Sequence, residues 1–253
     1  MNFEKALNQA STILFEKNIK TSLLDCEILM SKAINKDRKF IISNLSNQID
    51  KVSLNYFQKL VHQRSCGKPI SYILGKKDFW KFQFKINDNV LIPRPDTEII
   101  VEEALKITNH KKKIKILDIG VGSGCILLSL LKERGDFSGI GVDLSKKCID
   151  LSRINALSLN ITNRVKFFKS DIDNFNYGKY DLIVSNPPYI NQVDLKYLVK
   201  DIKEYEPRLA LDGGLDGLSE IRKVINKSSE LIKLNGKLIL EIGFDQKEKV
   251  KKI

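Results

Sequence analysis

The sequence predicts an α/β fold: a Rossmann-like, doubly wound and mostly parallel sheet, preceded by a small all-helical unit and joined to it by a β-hairpin. Three observations carry this prediction. Apolar residues recur at helical spacing from Phe3 to about Cys66. They alternate at period two from Phe82 to Ile86, and from Lys113 onward they fall into short runs separated by amphipathic segments.

In the first unit the helical positions are Phe3, Ala6, Leu7 and Ala10, then Leu24, Ile28 and Leu29, and later Leu54, Phe57 and Val61. Polar breaks at 18–21 and 43–50 divide it into several short helices, and "CGKP" at Cys66–Pro69 is expected to close it. Phe82, Phe84 and Ile86 then alternate with Lys81, Gln83 and Lys85 as a half-exposed strand does, and "NDN" at 87–89 reads as a turn leading into "VLIP". "PRPDTEIIVEEALKI" opens a helix that Asp96 or Thr97 can cap. The expected organisation is a helical unit over 1–70, a hairpin linker over 71–95 and an α/β domain over 96–253. In the last, "KIKILDIG", "FSGIGVDLS", "VKFFKSD", "YDLIVSNPP" and "GKLILEIGF" read as strands, with helices near 126–133, 147–159 and 218–234.

The bulk properties narrow the function classes. With 253 residues the chain can bury a good core, and no apolar run approaches a membrane span. Its N-terminus, "MNFEKALNQA", lacks the apolar segment of a signal peptide, so a cytoplasmic location is expected. Cys26, Cys66, Cys125 and Cys148 are scattered without a CxxC pair, which argues against a disulfide framework or a zinc site. Lys and Arg number 43 against 31 Asp and Glu, a formal +12 that suits an acidic partner such as RNA or a ribosome-associated protein. Many of those lysines fit an ordinary solvated surface equally well.

In doubly wound sheets ligands bind beyond the carboxyl ends of the strands. At the first such end "LDIGVGSGC" carries Gly120, Gly122 and Gly124, whose missing Cβ atoms let backbone approach a ligand. A dinucleotide fingerprint would want a third glycine at the position of Cys125. The loop over Gly120, Val121, Gly122, Ser123 and Gly124, with Asp118 beside it, suits instead a nucleoside cofactor with a cationic tail, and S-adenosylmethionine fits. Asp143, nineteen residues after Gly124 at the second strand end, is placed to accept from both ribose hydroxyls. At the third, Asp171 is placed to accept from the adenine amine, with Ile172 against the ring.

The fourth strand end carries Asn186-Pro187-Pro188-Tyr189. A strand stop followed by a turn accounts for the prolines but not for the whole tetrad. A planar amide or exocyclic amine is a weak nucleophile, because its nitrogen lone pair is delocalised. The Asn186 side-chain oxygen and the Pro187 carbonyl can each take one N–H of such a group, the prolines hold that carbonyl rigidly, and Tyr189 offers a face to stack on. No general base is expected: His62 and His110 both lie outside these strand ends.

The chain resembles the peptide chain release factor glutamine methyltransferases, the PrmC/HemK family. The residues that carry the likeness are "GKPISYILGKKDFW", "VLIPRPDTE", "LDIGVGSG", "VD" at Val142 and Asp143, "SNPPYI" and "YEPRLALDGGLDGL". The resemblance implies a class I S-adenosylmethionine-dependent methyltransferase domain with a helical substrate-recognition domain before it. It implies N5-methylation of the glutamine in the Gly-Gly-Gln motif of bacterial class 1 release factors. Cofactor contacts carry over onto Gly120 to Gly124, Asp143, Ile172 and Asn186, substrate contacts onto Asn186 to Tyr189, with Arg94 and Glu98 as further candidates near the cofactor. The family often has an aromatic residue where Ile172 stands. It also continues beyond the fifth strand through a helix into two more strands, and fused forms with a tRNA methyltransferase occur, whereas this chain stops at "KEKVKKI". A truncated or fused reading frame, with an exposed sheet edge and low stability, is therefore expected. Two readings of other classes stand beside the leading one. An N6-adenine methyltransferase acting on DNA or RNA would present the same planar amine to the tetrad, and a non-catalytic cofactor-binding module would be expected to carry a damaged loop or tetrad.

Overall fold

A computed structural model describes all of residues 1–253. The chain forms two compact units, Met1–Gly75 and Lys76–Ile253.

The first unit is helical, with α1 (Phe3–Glu16), α2 (Ser22–Ile34), α3 (Arg38–Ser43), α4 (Lys51–Ser65) and α5 (Ile70–Leu74). Three helices begin where a side-chain oxygen satisfies a free backbone N–H. Asn2 accepts from Lys5 N, Asp37 from Phe40 N and Asp50 from Ser53 N, at 3.0, 2.8 and 2.9 Å. The apolar stripe of α1, including Phe3, Leu7 and Leu14, packs with Leu29, Met30 and Phe57 into one core. The unit runs past the "CGKP" break at which the sequence reading closed it. Pro69 is the N-cap of α5, where its missing N–H costs nothing, so here Gly67-Lys68-Pro69 leads into a helix.

This core contains an ion pair, Arg64 Nε to Asp25 Oδ2 at 2.7 Å, with side chains 10% and 6% exposed. Asp25→Ala would remove the carboxylate that balances a buried guanidinium, whose Nη1 also donates to the carbonyls of Gly67 and Lys68, and a loss of about 3 kcal/mol is expected. Thermal unfolding checks this, and an unshifted midpoint would refute it.

The second unit opens with the hairpin β1 (Lys76–Phe79) and β2 (Phe82–Lys85). Its turn lies at Trp80 and Lys81, not at "NDN", and "VLIP" forms no strand. Burial sets this register: Phe79 and Phe84 are both buried and meet edge to face with centroids 6.2 Å apart. Trp80 takes a left-handed φ of 57°, and its backbone N–H donates to Glu98 Oε1 at 2.8 Å. Glu98 therefore supports the hairpin turn.

The rest alternates as expected: α6 (Glu98–Ile107), β3 (Lys115–Ile119), α7 (Cys125–Glu133), β4 (Ser138–Asp143), α8 (Lys146–Ser158), β5 (Val165–Lys169), β6 (Tyr180–Ser185), α9 (Lys200–Tyr205), α10 (Ser219–Leu231), β7 (Ile232–Leu240) and α11 (Lys247–Val250). The five strands form one parallel sheet in the order β5-β4-β3-β6-β7. Alternate residues feed two cores. Ile116, Leu182 and Val184 pack with Val101, Leu127 and Leu130 on one face, while Leu117, Ile119 and Ile183 pack with Val224 and Leu231 on the other. Strand order reverses between β3 and β6, which is where such a sheet opens a crevice. No helix is long and apolar enough to cross a membrane.

Candidate active site

The turn from β3 into α7 is tied to its neighbour: Gly120 N and Val121 N both donate to the Val142 carbonyl, at 2.9 and 3.0 Å. Gly120 and Gly122 have φ of 74° and 55°, and a Cβ on Gly120 would meet nothing within 4 Å. Gly124 differs: its Cβ would lie 2.8 Å from Leu128, so that glycine serves helix packing. From below, Asn155 Nδ2 donates to the Ser123 carbonyl and Ser152 Oγ to the Gly122 carbonyl, both at 2.8 Å. Asn155 also exchanges two hydrogen bonds with the backbone of Lys85, so one buried amide joins loop and hairpin.

Asp118 is 1% exposed at the end of β3. Its Oδ2 accepts from Leu127 N at 3.3 Å, and its Oδ1 has no partner. Burial, with a smaller contribution from Asp143, pushes its carboxyl up to about 8. Asp143 closes β4, taking Gly122 N on Oδ2 at 2.9 Å and Ser145 N on Oδ1 at 2.8 Å. Each oxygen keeps a further lone pair for a ligand hydroxyl. Burial raises its pKa too. Asp171 accepts from Asp173 N and starts a single 3-10 turn, leaving Ile172 only 8% exposed.

Where β6 ends, Asn186 Nδ2 donates to Thr97 Oγ1 at 3.0 Å. Thr97 thus makes no side-chain cap for α6, the role the sequence offered it. With its NH2 so engaged, Asn186 keeps Oδ1 as a free acceptor. The Tyr189 hydroxyl donates to Glu241 Oε1 at 3.3 Å, while burial and that carboxylate raise its pKa and keep it protonated.

A cavity of about 360 Å³ opens over these strand ends. Gly120, Val121, Ser123, Asp143, Asp171, Ile172, Asn186, Pro187 and Pro188 line it, as does Arg94. Asp118, Gly122, Gly124, Tyr189 and Glu98 do not reach its wall. Two thiols face it, Cys125 and Cys148, and burial pushes them up to about 12 and about 11, so both stay protonated and unreactive at neutral pH. No group of three or more His, Cys, Asp or Glu could hold a metal ion.

Two family models match the chain, "Methyltransferase small domain" over residues 97–227 and "PrmC N-terminal domain" over 5–75. A release factor glutamine methyltransferase of Geobacter sulfurreducens is 39% identical over 97% of this chain and 86% of its own length. One from Clostridium acetobutylicum is 38% identical over 100% and 90%. The chain belongs to the release factor glutamine methyltransferase family. It also matches a bifunctional methyltransferase of Rickettsia felis at 34% identity, spanning about half (53%) of that protein's length.

A donor with a nucleoside and a cationic amino acid tail fits this release factor glutamine methyltransferase family site. The open face of Gly120 gives a backbone cradle and Asp143 a hydroxyl acceptor, both on the cavity wall. The proton held by Asp118 has a stability consequence. A carboxyl raised from 3.8 to about 8 favours the fold at low pH, and that contribution is lost as pH rises through this interval. Asp118→Asn should therefore flatten the fall in unfolding midpoint between pH 5 and 8, and an unaltered slope would refute this assignment.

The sequence reading missed the residues that hold the tetrad in place. Gln246, 5% exposed, donates from Nε2 to the carbonyls of Tyr189 and Gly217 at 2.9 and 3.1 Å and accepts from Gly243 N. Glu206 binds Arg94 Nη2 at 2.5 Å and Ile92 N at 3.3 Å. The two segments "VLIPRPDTE" and "YEPRLALDGGLDGL" are thus joined directly to each other. Apolar periodicity gives no sign of such bonds, although the polar residues inside those quoted segments were the available hint.

Proposed function

We propose that this protein transfers a methyl group from S-adenosylmethionine to the side-chain amide nitrogen of the glutamine in the Gly-Gly-Gln motif of bacterial class 1 release factors. One observation carries the reading. The Asn186 amide is pinned through Nδ2 to Thr97, which leaves Oδ1 as an acceptor on the wall of the cavity beside the glycine loop. Relatives that match nearly the whole chain bear the corresponding name.

When bound, S-adenosylmethionine supplies a methyl group on a sulfonium centre. The chain's own part is positional. Asp143 and the glycine loop hold the nucleoside, and Ile172 covers one face of its base. Asn186 Oδ1 and the Pro187 carbonyl each take an N–H of the substrate amide, which favours its pyramidal, nucleophilic form and aligns it with the methyl. Rigid acceptors of this kind need little rearrangement as charge develops.

Labelled S-adenosylmethionine offered with release factor, with a Gln-to-Ala release factor, and with unmethylated DNA and RNA tests this. Label on the intact release factor alone is expected. Label on nucleic acid but not on release factor would give the site to an adenine amine, and cofactor binding without any transfer would mark a non-catalytic module.

A further inference from the structure

We infer that Glu241 is a positioning residue for the transfer, fixing which way the Asn186 amide faces and holding Tyr189 beside it; this rests on the reading of Asn186 given above. Ser185 pairs with Leu240 across β6 and β7, and Glu241 N donates to the Ser185 carbonyl at 3.0 Å, so Glu241 emerges beside Asn186 as the two strands leave the sheet. Its Oε1 accepts from the Tyr189 hydroxyl at 3.3 Å, and its Oε2 is buried with no hydrogen-bond partner. Burial pushes this carboxyl above its ordinary range, against the opposing pull of Thr97, Tyr189 and Asn186 on the same group.

A primary amide has a donor end and an acceptor end of nearly equal shape, so only its surroundings decide which one faces a ligand. Thr97 Oγ1 can either accept or donate, and alone it would tolerate both orientations of Asn186. A carboxylate can only accept. Glu241 leaves β7 beside Asn186 with a buried, unpartnered carboxylate oxygen, and an acceptor on that side favours the orientation in which the Asn186 NH2 turns toward Thr97 and the threonine hydroxyl proton is left for the carboxylate. Oδ1 is then the end that faces the cavity. Reversal would aim an N–H at the substrate's own NH2, where no hydrogen bond can form.

Glu241→Gln keeps the size of the side chain and replaces an obligate acceptor by a group that also donates. It is expected to lower kcat about 100-fold, the scale that misplacement of a reacting group can reach, with cofactor Kd changed less than about two-fold because the glycine loop and Asp143 are untouched. The Asn186 side-chain amide, followed by nuclear magnetic resonance without any substrate, should lose protection from solvent exchange. Glu241→Asp, still an obligate acceptor, should recover part of kcat. The inference is overturned by a Gln variant with near-normal kcat, by unchanged exchange at Asn186, or by an Asp variant as poor as the Gln variant. The resonance readout needs no acceptor, so a wild-type protein that leaves release factors unmethylated would refute the proposed substrate while still deciding the role of Glu241.

Discussion

Asn186→Ala is expected to lower kcat by about two to three orders of magnitude, the cost of removing one preorganised acceptor or donor from a developing charge, while cofactor affinity changes by less than about two-fold. Truncation removes the Nδ2 tie to Thr97 together with the free Oδ1, and of the two only Oδ1 is left for a substrate amide. The loss should therefore fall on turnover, and KM for the release factor should move little, because a single hydrogen bond is a small part of a protein–protein contact. Single-turnover kinetics with labelled cofactor would check this. A variant that lost cofactor binding and kept its rate at saturation would transfer Asn186 to the cofactor side of the site.

The second large effect is expected at Glu206. Its side chain is 1% exposed, and it holds both the Arg94 guanidinium and the Ile92 N–H. Glu206→Ala would leave two donors unpartnered at once, and a loss of about 3 kcal/mol is expected, at the lower end for a buried pair because Arg94 is one third exposed. The pair also has a local role. Pro207, Leu209 and Ala210 follow directly on Glu206 and line the cavity, so untying Glu206 should loosen that wall and weaken cofactor binding several-fold. Glu206→Gln, which can still accept from Ile92, should lose less. Equal unfolding midpoints for wild type and Glu206→Ala would show that the clamp contributes nothing.

The sheet and the glycine loop were legible because their signals are local. Each strand announced itself as an apolar run, and the parallel arrangement, though not the strand order, followed from the alternation of strands with helices. Gly120, Gly122 and Asp143 lie within one β-α-β unit, and a spacing rule suffices to find them. The hairpin was misplaced because its turn uses Trp80 at positive φ, a residue with no turn signature, supported by Glu98 eighteen positions later. Glu241 and Gln246 lie 52 and 57 residues from the tyrosine they hold, and Glu206 lies 112 from Arg94. No period or motif reports a bond across such a distance in one sequence.

Those separations also set an order of events while the protein is made. A ribosome adds residues at roughly 5–20 per second and chains fold from the N-terminal side, so the cofactor loop and its Asp143 leave the tunnel well before the segment from Glu241 to Gln246. Until that segment arrives, Tyr189 has neither its carboxylate partner nor the amide that grips its backbone carbonyl. The order of Tyr189 therefore waits on residues made 52 and 57 positions after it. The hold on Tyr189 is, in this sense, completed by the short segment that follows β7.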